Sequence, residues 1–376
     1  MKKRIVSGFL AAACIFSSAF AISWGGMVDN KSKLAANNDF SALLLDQSNG
    51  LYLNVSSKLN EDASLRISGE GLFKYDLTYD FEAKESDDFK MVADLDLLKL
   101  SGEWTIANGH LGLAFGRFKY SDFSGAVFSQ LGDGLYLSYD TLKTKTSLYG
   151  GFTGLLNRLD VTMTENEQED DDQFYALCPM YVPLLADFSY KALFGTHTIG
   201  AQLAAYIPVT DKNTLKAYGT LIANGYIGTV ASYDARFTVG TEKFEGLMMD
   251  MMLDAHFYLI PKVRLTAGAE YVSGDQGAVK PFATLSSRSF GIAPYANGVV
   301  VPKIGAMYAS GKIYASVIER VIISVDDKEL GGFDTAVNFV YNIFSDLQIG
   351  LDAGAYFAKV SEATNYYATA KAVLAF

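Results

Sequence analysis

Charged side chains recur at every second position along many stretches of this chain. In residues 65–79, LRISGEGLFKYDLTY, the even positions include Arg66, Glu70 and Lys74, whereas the odd positions are apolar, aromatic or glycine. Side chains that share one face in this way can pair with each other or order water and polar molecules. The same reasoning selects these candidates for one shared polar surface: Arg66, Glu70, Lys74, Asp94, Asp96, Arg117, Lys119, Asp140, Asp234, Arg236, Asp250, Asp254, Arg264, Glu270, Arg320 and Asp352.

Acid–base catalysis is the most demanding chemistry that these residue types permit. Asp254 and His256 fall on the same face of one stretch and could form a carboxylate–imidazole pair. No Ser or Cys nucleophile motif accompanies the histidines at positions 110, 197 and 256. We therefore expect polar surface residues here, with no catalytic residue and no enzyme activity.

Metal and cofactor motifs give no positive signal in the sequence. The acidic run ENEQEDDDQ at 165–173 lacks the ordered spacing and turn glycine of a calcium loop, so a solvated external tip is the prediction and cation binding the alternative. Glycine-rich stretches lie inside candidate strands and do not precede helices. We expect no metal and no cofactor. The net charge of -11 makes nucleic acid an improbable partner.

Extended strands must position these charges, because the apolar and polar residues alternate with a period of two. Candidate strands of about 10 to 15 residues recur to the end of the chain, which suits tilted membrane strands. No stretch after the N-terminal leader has 18 or more uninterrupted apolar residues, and half of the chain is hydrophobic. The prediction is an all-β fold, a transmembrane antiparallel up-and-down β-barrel of about eighteen strands, with sixteen as the alternative.

The first two candidate strands are 38–46 and 50–59, and the others run from 64–79 to 365–376. The alternation changes phase at Leu97-Leu98 and at Gly116, and we interpret both changes as β-bulges. Glu319 is an exception, since strict alternation faces it toward lipid and suggests a further bulge.

Three parts of the chain are predicted. Residues 1–21 have a basic start, an apolar stretch and Ala19-Phe20-Ala21, which is typical of a cleavable signal peptide. A membrane anchor and a lipoprotein modified at Cys14 are the alternatives. Residues 22–37 are predicted to form a short periplasmic segment, and 38–376 the barrel. Only Cys178 remains after the leader, so no intramolecular disulfide is possible.

Connection lengths predict which end of the barrel faces outward. Tight turns and long loops alternate, as expected for periplasmic turns and external loops. The loop at 122–132 is too apolar for a simple external loop, and we expect it to fold inward and narrow the lumen near Arg117 and Lys119. The connection at 274–298, which carries Arg288, is a second candidate to constrict or plug the lumen.

Two segments resemble known outer-membrane proteins. The last strand, with Tyr366, Leu374 and Phe376, is similar to the C-terminal signal that the barrel-assembly machinery of bacteria recognises. Residues 116–140, GRFKYSDFSGAVFSQLGDGLYLSYD, resemble the strand–loop–strand of eighteen-stranded porins of the alginate-export and substrate-specific type. The resemblance implies a barrel of the outer membrane, and the Asp254–His256 pair is similar to that of the smaller outer-membrane proteases.

The function predicted from these observations is a porin that allows passive diffusion of small hydrophilic solutes through a water-filled lumen. A plugged surface barrel that acts as an adhesin or structural protein is the alternative, and a transporter of hydrophobic substrates ranks third. The expected partners are outer-membrane lipid, the barrel-assembly machinery and small hydrophilic solutes. The chain is expected to be a monomer or a homotrimer.

Overall fold

In the part of the chain that the structure describes, a single antiparallel sheet of 18 strands closes on itself. The structure is a computed structural model that describes residues 22–376 except 61, 63, 162, 165–174, 211–212, 361–362 and the side chains of 87 and 88. Each strand pairs with its neighbours in sequence, and the first strand also pairs with the last. The prediction of an up-and-down barrel of about eighteen strands is confirmed. The predicted signal peptide at 1–21 lies outside the described residues.

The strands follow one another as β1 (Ile22–Asn37), β2 (Leu43–Lys58), β3 (Leu65–Asp80), β4 (Glu85–Ile106), β5 (Gly109–Ser121), β6 (Ser129–Thr141), β7 (Thr144–Phe152), β8 (Tyr181–Leu193) and β9 (His197–Pro208). The second half of the barrel consists of β10 (Lys216–Ile227), β11 (Ala231–Glu242), β12 (Glu245–Ile260), β13 (Val263–Val272), β14 (Val299–Ser310), β15 (Ile313–Ser324), β16 (Glu329–Asn342), β17 (Leu347–Ala358) and β18 (Asn365–Ala375).

The start of the barrel differs from the prediction. Residues 22–37 form β1, which pairs with β18 and with β2, and are not a periplasmic segment. The predicted strand at 38–46 is wrong because it contains the turn from β1 to β2. In that turn Ser41 donates its backbone N–H to Asp39 Oδ1 at 3.1 Å, and Phe40 has a φ of 57°. Such side-chain to backbone bonds favour turns over sheet pairing.

Both ends of the described chain lie at the same end of the barrel. The backbone of Phe376 exchanges hydrogen bonds with that of Gly26 near the start of β1, at 2.8 and 2.9 Å. The tight turns at 107–108, 142–143, 261–262 and 311–312 are at this end. The long connections at 122–128, 153–180 and 273–298 are at the opposite end, as predicted from the alternation of turn lengths.

One of the two predicted phase changes is a bulge. In the pairing of β3 with β4, Glu70 faces Leu97 and Gly71 faces Leu95, so Asp96 is the extra residue. At Gly116 the backbone has a φ of 114°, yet the register between β5 and β6 continues without a shift. The predicted bulge at Gly116 is therefore wrong, and the alternation of side chains continues through β5.

The outer face of the barrel is apolar. Large side chains such as Phe115, Leu137, Leu203, Leu253 and Ile304 are exposed there, and all of them belong to strands. A band of exposed apolar side chains around a closed barrel is what a lipid bilayer covers. In the described part of the chain, no helix has the length and hydropathy needed to cross a membrane.

Candidate functional site: the lumen and its inward-folded loops

Three long connections at the end opposite the tight turns share one apolar core inside the barrel. We name them the first loop (122–128), the second loop (153–180) and the third loop (273–298). Val127 of the first, Leu156 of the second and Phe282 of the third are all buried in one cluster with wall residues. The wall contributes Tyr149, Tyr181, Tyr206, Tyr218, Met248 and Tyr356 among others. Because apolar burial stabilises this arrangement, the loops are part of the folded lumen.

Aromatic stacking connects the first loop to the wall. Tyr120 and Tyr149 lie parallel, with ring centroids 4.1 Å apart, and Phe118 meets Tyr149 edge to face at 5.9 Å. Phe128 packs against both Tyr149 and Tyr206. Offset and edge-to-face arrangements of this kind contribute beyond the area that they bury. The prediction that 122–132 folds inward agrees with these contacts.

Polar contacts fix the first loop across the lumen. Phe123 donates its backbone N–H to Gln202 Oε1 of β9 at 3.0 Å, and Arg236 of β11 donates through Nη1 to the carbonyl of Ser124 at 2.7 Å. Asp122 accepts a bond from the Ser124 hydroxyl at 2.6 Å. Burial raises the pKa of Asp122 to about 6, since desolvation outweighs its hydrogen bonds.

The third loop is tied to the first loop and to the adjacent part of the wall. Leu285 and Ser286 both donate backbone N–H groups to the carbonyl of Val127, at 2.8 and 3.1 Å. Arg288 donates through Nη1 to Asp250 of β12 at 2.6 Å and through Nη2 to Glu270 of β13. This contact agrees with the prediction that 274–298 narrows the lumen.

Two arginines and two acids form one ion-pair cluster beside these loops. Arg236 pairs with Asp250 at 3.1 Å and with Glu270, and Arg288 pairs with the same two acids. Asp250 is fully buried, and the other three side chains are about nine-tenths buried. Buried charges that balance one another in this way depend strongly on every partner being present. The cluster therefore fixes the positions of the first and third loops.

A polar cavity of about 270 Å³ opens next to this cluster. Its lining comes from the first loop, the third loop and the wall, and the charged members are Arg236, Glu270, Arg288, Lys303 and Arg320. The acid partners Asp254 of Lys303 and Asp334 of Arg320 lie at 2.8 and 2.6 Å. The cavity thus presents hydrogen-bond donors while the neighbouring acids keep the region near neutral.

Other predicted lumen residues also form pairs. Asp140 pairs with Lys191, Asp352 pairs with Lys371, and Lys74 lies 2.8 Å from Asp76. His256 contacts Asp234 through Nε2 at 3.0 Å and the Thr266 hydroxyl through Nδ1 at 2.9 Å. Arg66 is exposed near the tight-turn end, and Arg264 has a buried Nε without a hydrogen-bond partner among the described residues.

Lys119 was predicted to face inward, and this prediction is wrong. Phe118 and Tyr120 on either side pack against Tyr149 of the inner face. Lys119 is exposed on the opposite face because Gly116 does not shift the register. Arg117 lies where the pairing of β4 with β5 ends, and it bonds Asp94, Asp133 and the carbonyl of Leu155.

The second loop brings a third carboxylate to a pair on the wall. Carboxylate oxygens of Asp94, Asp96 and Asp160 lie within 4.8 Å of one another, a spacing that a hard cation could accommodate. Burial, followed by the charge of Asp94, raises the pKa of Asp160. No sequence pattern indicated Asp160, since its approach to Asp94 and Asp96 depends on how the second loop folds. The acidic run at 165–173 lies outside the described residues.

Solved structures show where this architecture occurs. OccK7 (OpdD) of Pseudomonas aeruginosa aligns with a TM-score of 0.66 at 13% identity, covering 94% of this chain and 98% of that chain. OccK3 (OpdO) of the same organism gives 0.61 at 10% identity, covering 94% and 96%. The outer membrane protein opdK gives 0.60 at 12% identity, covering 94% and 98%. No protein-family model and no curated protein sequence matches the chain.

This chain has the barrel fold of these Pseudomonas aeruginosa proteins, with eighteen strands. The predicted resemblance and the outer-membrane class of barrel are confirmed at the level of the fold. In this barrel, β18 directs Leu374 and Phe376 to the outer face, where both are exposed, while Lys371 faces inward to Asp352. Tyr366 stacks on Phe40 at 5.4 Å. A role for these residues in assembly remains a prediction.

Proposed function

We propose that this chain is a porin of the bacterial outer membrane that allows passive diffusion of small hydrophilic solutes. The observation that carries the proposal is the polar cavity between the first and third loops, lined by Arg236, Arg288, Lys303 and Arg320. A closed barrel of this size has room for an aqueous lumen beside the loops that enter it. Diffusion through such a channel needs no cofactor and no chemical step.

The pairing of charges favours solutes that are neutral or weakly charged. Each basic side chain of the cavity has an acid partner at hydrogen-bond distance, so the cavity offers donors with little net charge. A polar solute can exchange its water for these donors without having to displace a bound counterion. We expect weak ion preference for the same reason.

Single-channel conductance tests the proposal. The refolded chain 22–376 would be inserted in a planar bilayer with unequal potassium chloride concentrations on the two sides. Steady openings with weak ion preference support a porin. A variant in which a short Gly-Ser linker replaces 123–127 should conduct more, because the first loop then no longer occupies the lumen.

A second candidate function is a plugged barrel that acts at the cell surface. The shared core of the three loops favours it, since Val127, Leu156 and Phe282 pack together inside the barrel. Under this alternative the wild-type chain folds but shows no channel conductance, and only the variant lacking 123–127 conducts. Unchanged conductance in that variant would contradict a constricting role for the first loop.

A further inference from the structure

Glu319 places a carboxyl group on the outer face of the barrel. Its neighbours Ile318 and Arg320 line the inner cavity, so Glu319 points the other way. The pairing of β14 with β15 keeps one register on both sides of it, with Ile304 directly opposite. The bulge suggested by the sequence is therefore absent at this point, and Glu319 lies in the apolar band.

The surroundings of Glu319 are lipid-facing side chains. Ile304 opposite it is 64% exposed, and Val317, two residues away, is 43% exposed. The hydroxyl of Thr335 on β16 donates a hydrogen bond to Glu319 Oε2. Oε1 has no hydrogen-bond partner among the described residues. An acid at this depth is unfavourable in hydrocarbon and marks a site where a partner is expected.

A second polar group lies on the same outer face at the closure of the barrel. Asn30 Nδ2 donates to Asn49 Oδ1, and the Ser32 hydroxyl donates to Gln47 Oε1 at 2.5 Å. Asn30 and Ser32 lie between Val28 and Leu34 on the outward face of β1, where Val28 and Leu34 are each 41% exposed, whereas Lys31 faces inward. We call Asn30, Ser32, Gln47 and Asn49 the amide patch, and Glu319 with Thr335 the acid patch.

The two patches are complementary in hydrogen bonding. Each primary amide has two N–H donors, and the bonds within the amide patch leave donors of Asn49 and Gln47 unused. The carboxyl of Glu319 has acceptor capacity beyond its bond to Thr335. In lipid neither patch finds water, so an acceptor and donors of this kind stabilise each other when they meet.

We propose that a second copy of this chain covers each patch, with the acid patch of one barrel against the amide patch of the next. In a closed barrel of eighteen strands each strand takes up about 20° of the circumference. The angle around the barrel axis is thus about 60° between β16 and β1 and about 100° between β15 and β2. Successive contacts at these angles close a ring of three or four barrels, and the contact is heterologous.

Small side chains beside the amide patch permit close approach of another barrel. Ala370 and Ala372 of β18 are directly opposite Ser32 and Asn30 and share their outward face. Interfaces between membrane proteins are enriched in such residues because they allow backbones to come near. The ring does not depend on the proposed diffusion of solutes, since a single barrel already has its own lumen.

Oligomer mass tests the inference directly. The refolded wild-type chain should give a species of three or four copies by native mass spectrometry in mild detergent. Glu319→Leu should give a monomer, and its barrel should resist urea as well as or better than the wild type, because an acid in the lipid face is removed. Val317→Leu, an apolar exchange on the same face of β15, is the matched control and should keep the ring.

Cross-linking in liposomes distinguishes a ring from a detergent artefact. In a Cys178→Ser background, Val317→Cys and Val28→Cys chains, which keep the acid patch and the amide patch intact, are prepared separately and then mixed before reconstitution and oxidation. Disulfide-linked dimers should form in the mixture and not in either variant alone. A monomeric wild type in native mass spectrometry, a mixture that forms no disulfide-linked dimers, or a ring that Glu319→Leu leaves intact would overturn the inference.

Discussion

Arg236 on the barrel wall donates a hydrogen bond to the backbone carbonyl of Ser124, the nitrogen and oxygen being 2.7 Å apart. The same guanidinium pairs with Asp250 and Glu270, so one side chain joins the first loop to two strands of the wall. The carbonyl partner means that the bond depends on the position of the loop backbone and not on the identity of residue 124.

Replacement of Arg236 should release the first loop. We expect Arg236→Gln to increase single-channel conductance and its fluctuations, because the bond to Ser124 and the pairing with Asp250 are both lost. Recordings in planar bilayers measure the effect, and Arg66→Gln, an exposed lumen arginine far from the loops, serves as control. Equal conductance of Arg236→Gln and wild type would contradict a role of Arg236 in holding the first loop inside the lumen.

Loss of Asp250 should destabilise the barrel. Its carboxylate is fully buried and pairs with Arg236 and Arg288. Asp250→Asn leaves two buried guanidinium groups with only Glu270 as a shared partner, which costs roughly 3 kcal/mol of unfolding free energy. Urea unfolding measures this value. Combining Asp250→Asn with Arg288→Met should cost less than the sum of the two single changes, and strict additivity would argue against a coupled cluster.

Stability should depend on pH through Asp122. Burial raises the pKa of this carboxyl from 3.8 to about 6, so the folded state holds the proton more tightly than the unfolded chain. The protonated carboxyl of Asp122 therefore stabilises the fold below pH 4. This stabilisation, roughly 3 kcal/mol of unfolding free energy, is lost as the pH rises through 6. Asp122→Asn, which resembles the protonated acid, should be more stable than the wild type at pH 7.5 and nearly equal at pH 4.

Asp39 provides a control, because its effect on the pH dependence of stability has the opposite sign to that of Asp122. It is exposed in the turn from β1 to β2, and the hydroxyl and N–H of Ser41 lower its pKa. Its stabilising effect is therefore present above the ordinary pKa of aspartate and disappears in more acidic solution. If Asp122→Asn and Asp39→Asn changed the pH profile in the same direction, burial of Asp122 could not be the cause.

Phe376 should matter more for assembly in cells than for stability of the finished barrel. Its ring lies over Gly26, where an added Cβ would be 2.4 Å from a ring carbon, but 57% of the residue is exposed. We expect Phe376→Ala to reduce the amount inserted in the outer membrane several-fold while refolding in detergent is little changed. Comparable losses in both settings would indicate a structural role instead.

The strands from β3 to β18 were predictable because lipid on one side and a polar lumen on the other impose strict alternation. β1 was missed since its outward positions include Asn30 and Ser32, which remove that signal. The inward folding of the first loop followed from its apolar composition. The ion-pair cluster of Arg236, Arg288, Asp250 and Glu270 was not predictable as a unit, because it depends on how loops distant in sequence pack inside the barrel.

The shared core of the three loops has a consequence for biogenesis. Tyr149, Tyr206, Tyr218 and Met248 belong to four different strands, so the surface on which the loops pack exists only after these strands have assembled. Docking of the loops therefore follows the pairing of these four strands and is a separate, later stage of folding. Until the loops dock, the lumen beside these strands is wider than in the finished barrel, and the rate of docking determines how long that wider state lasts.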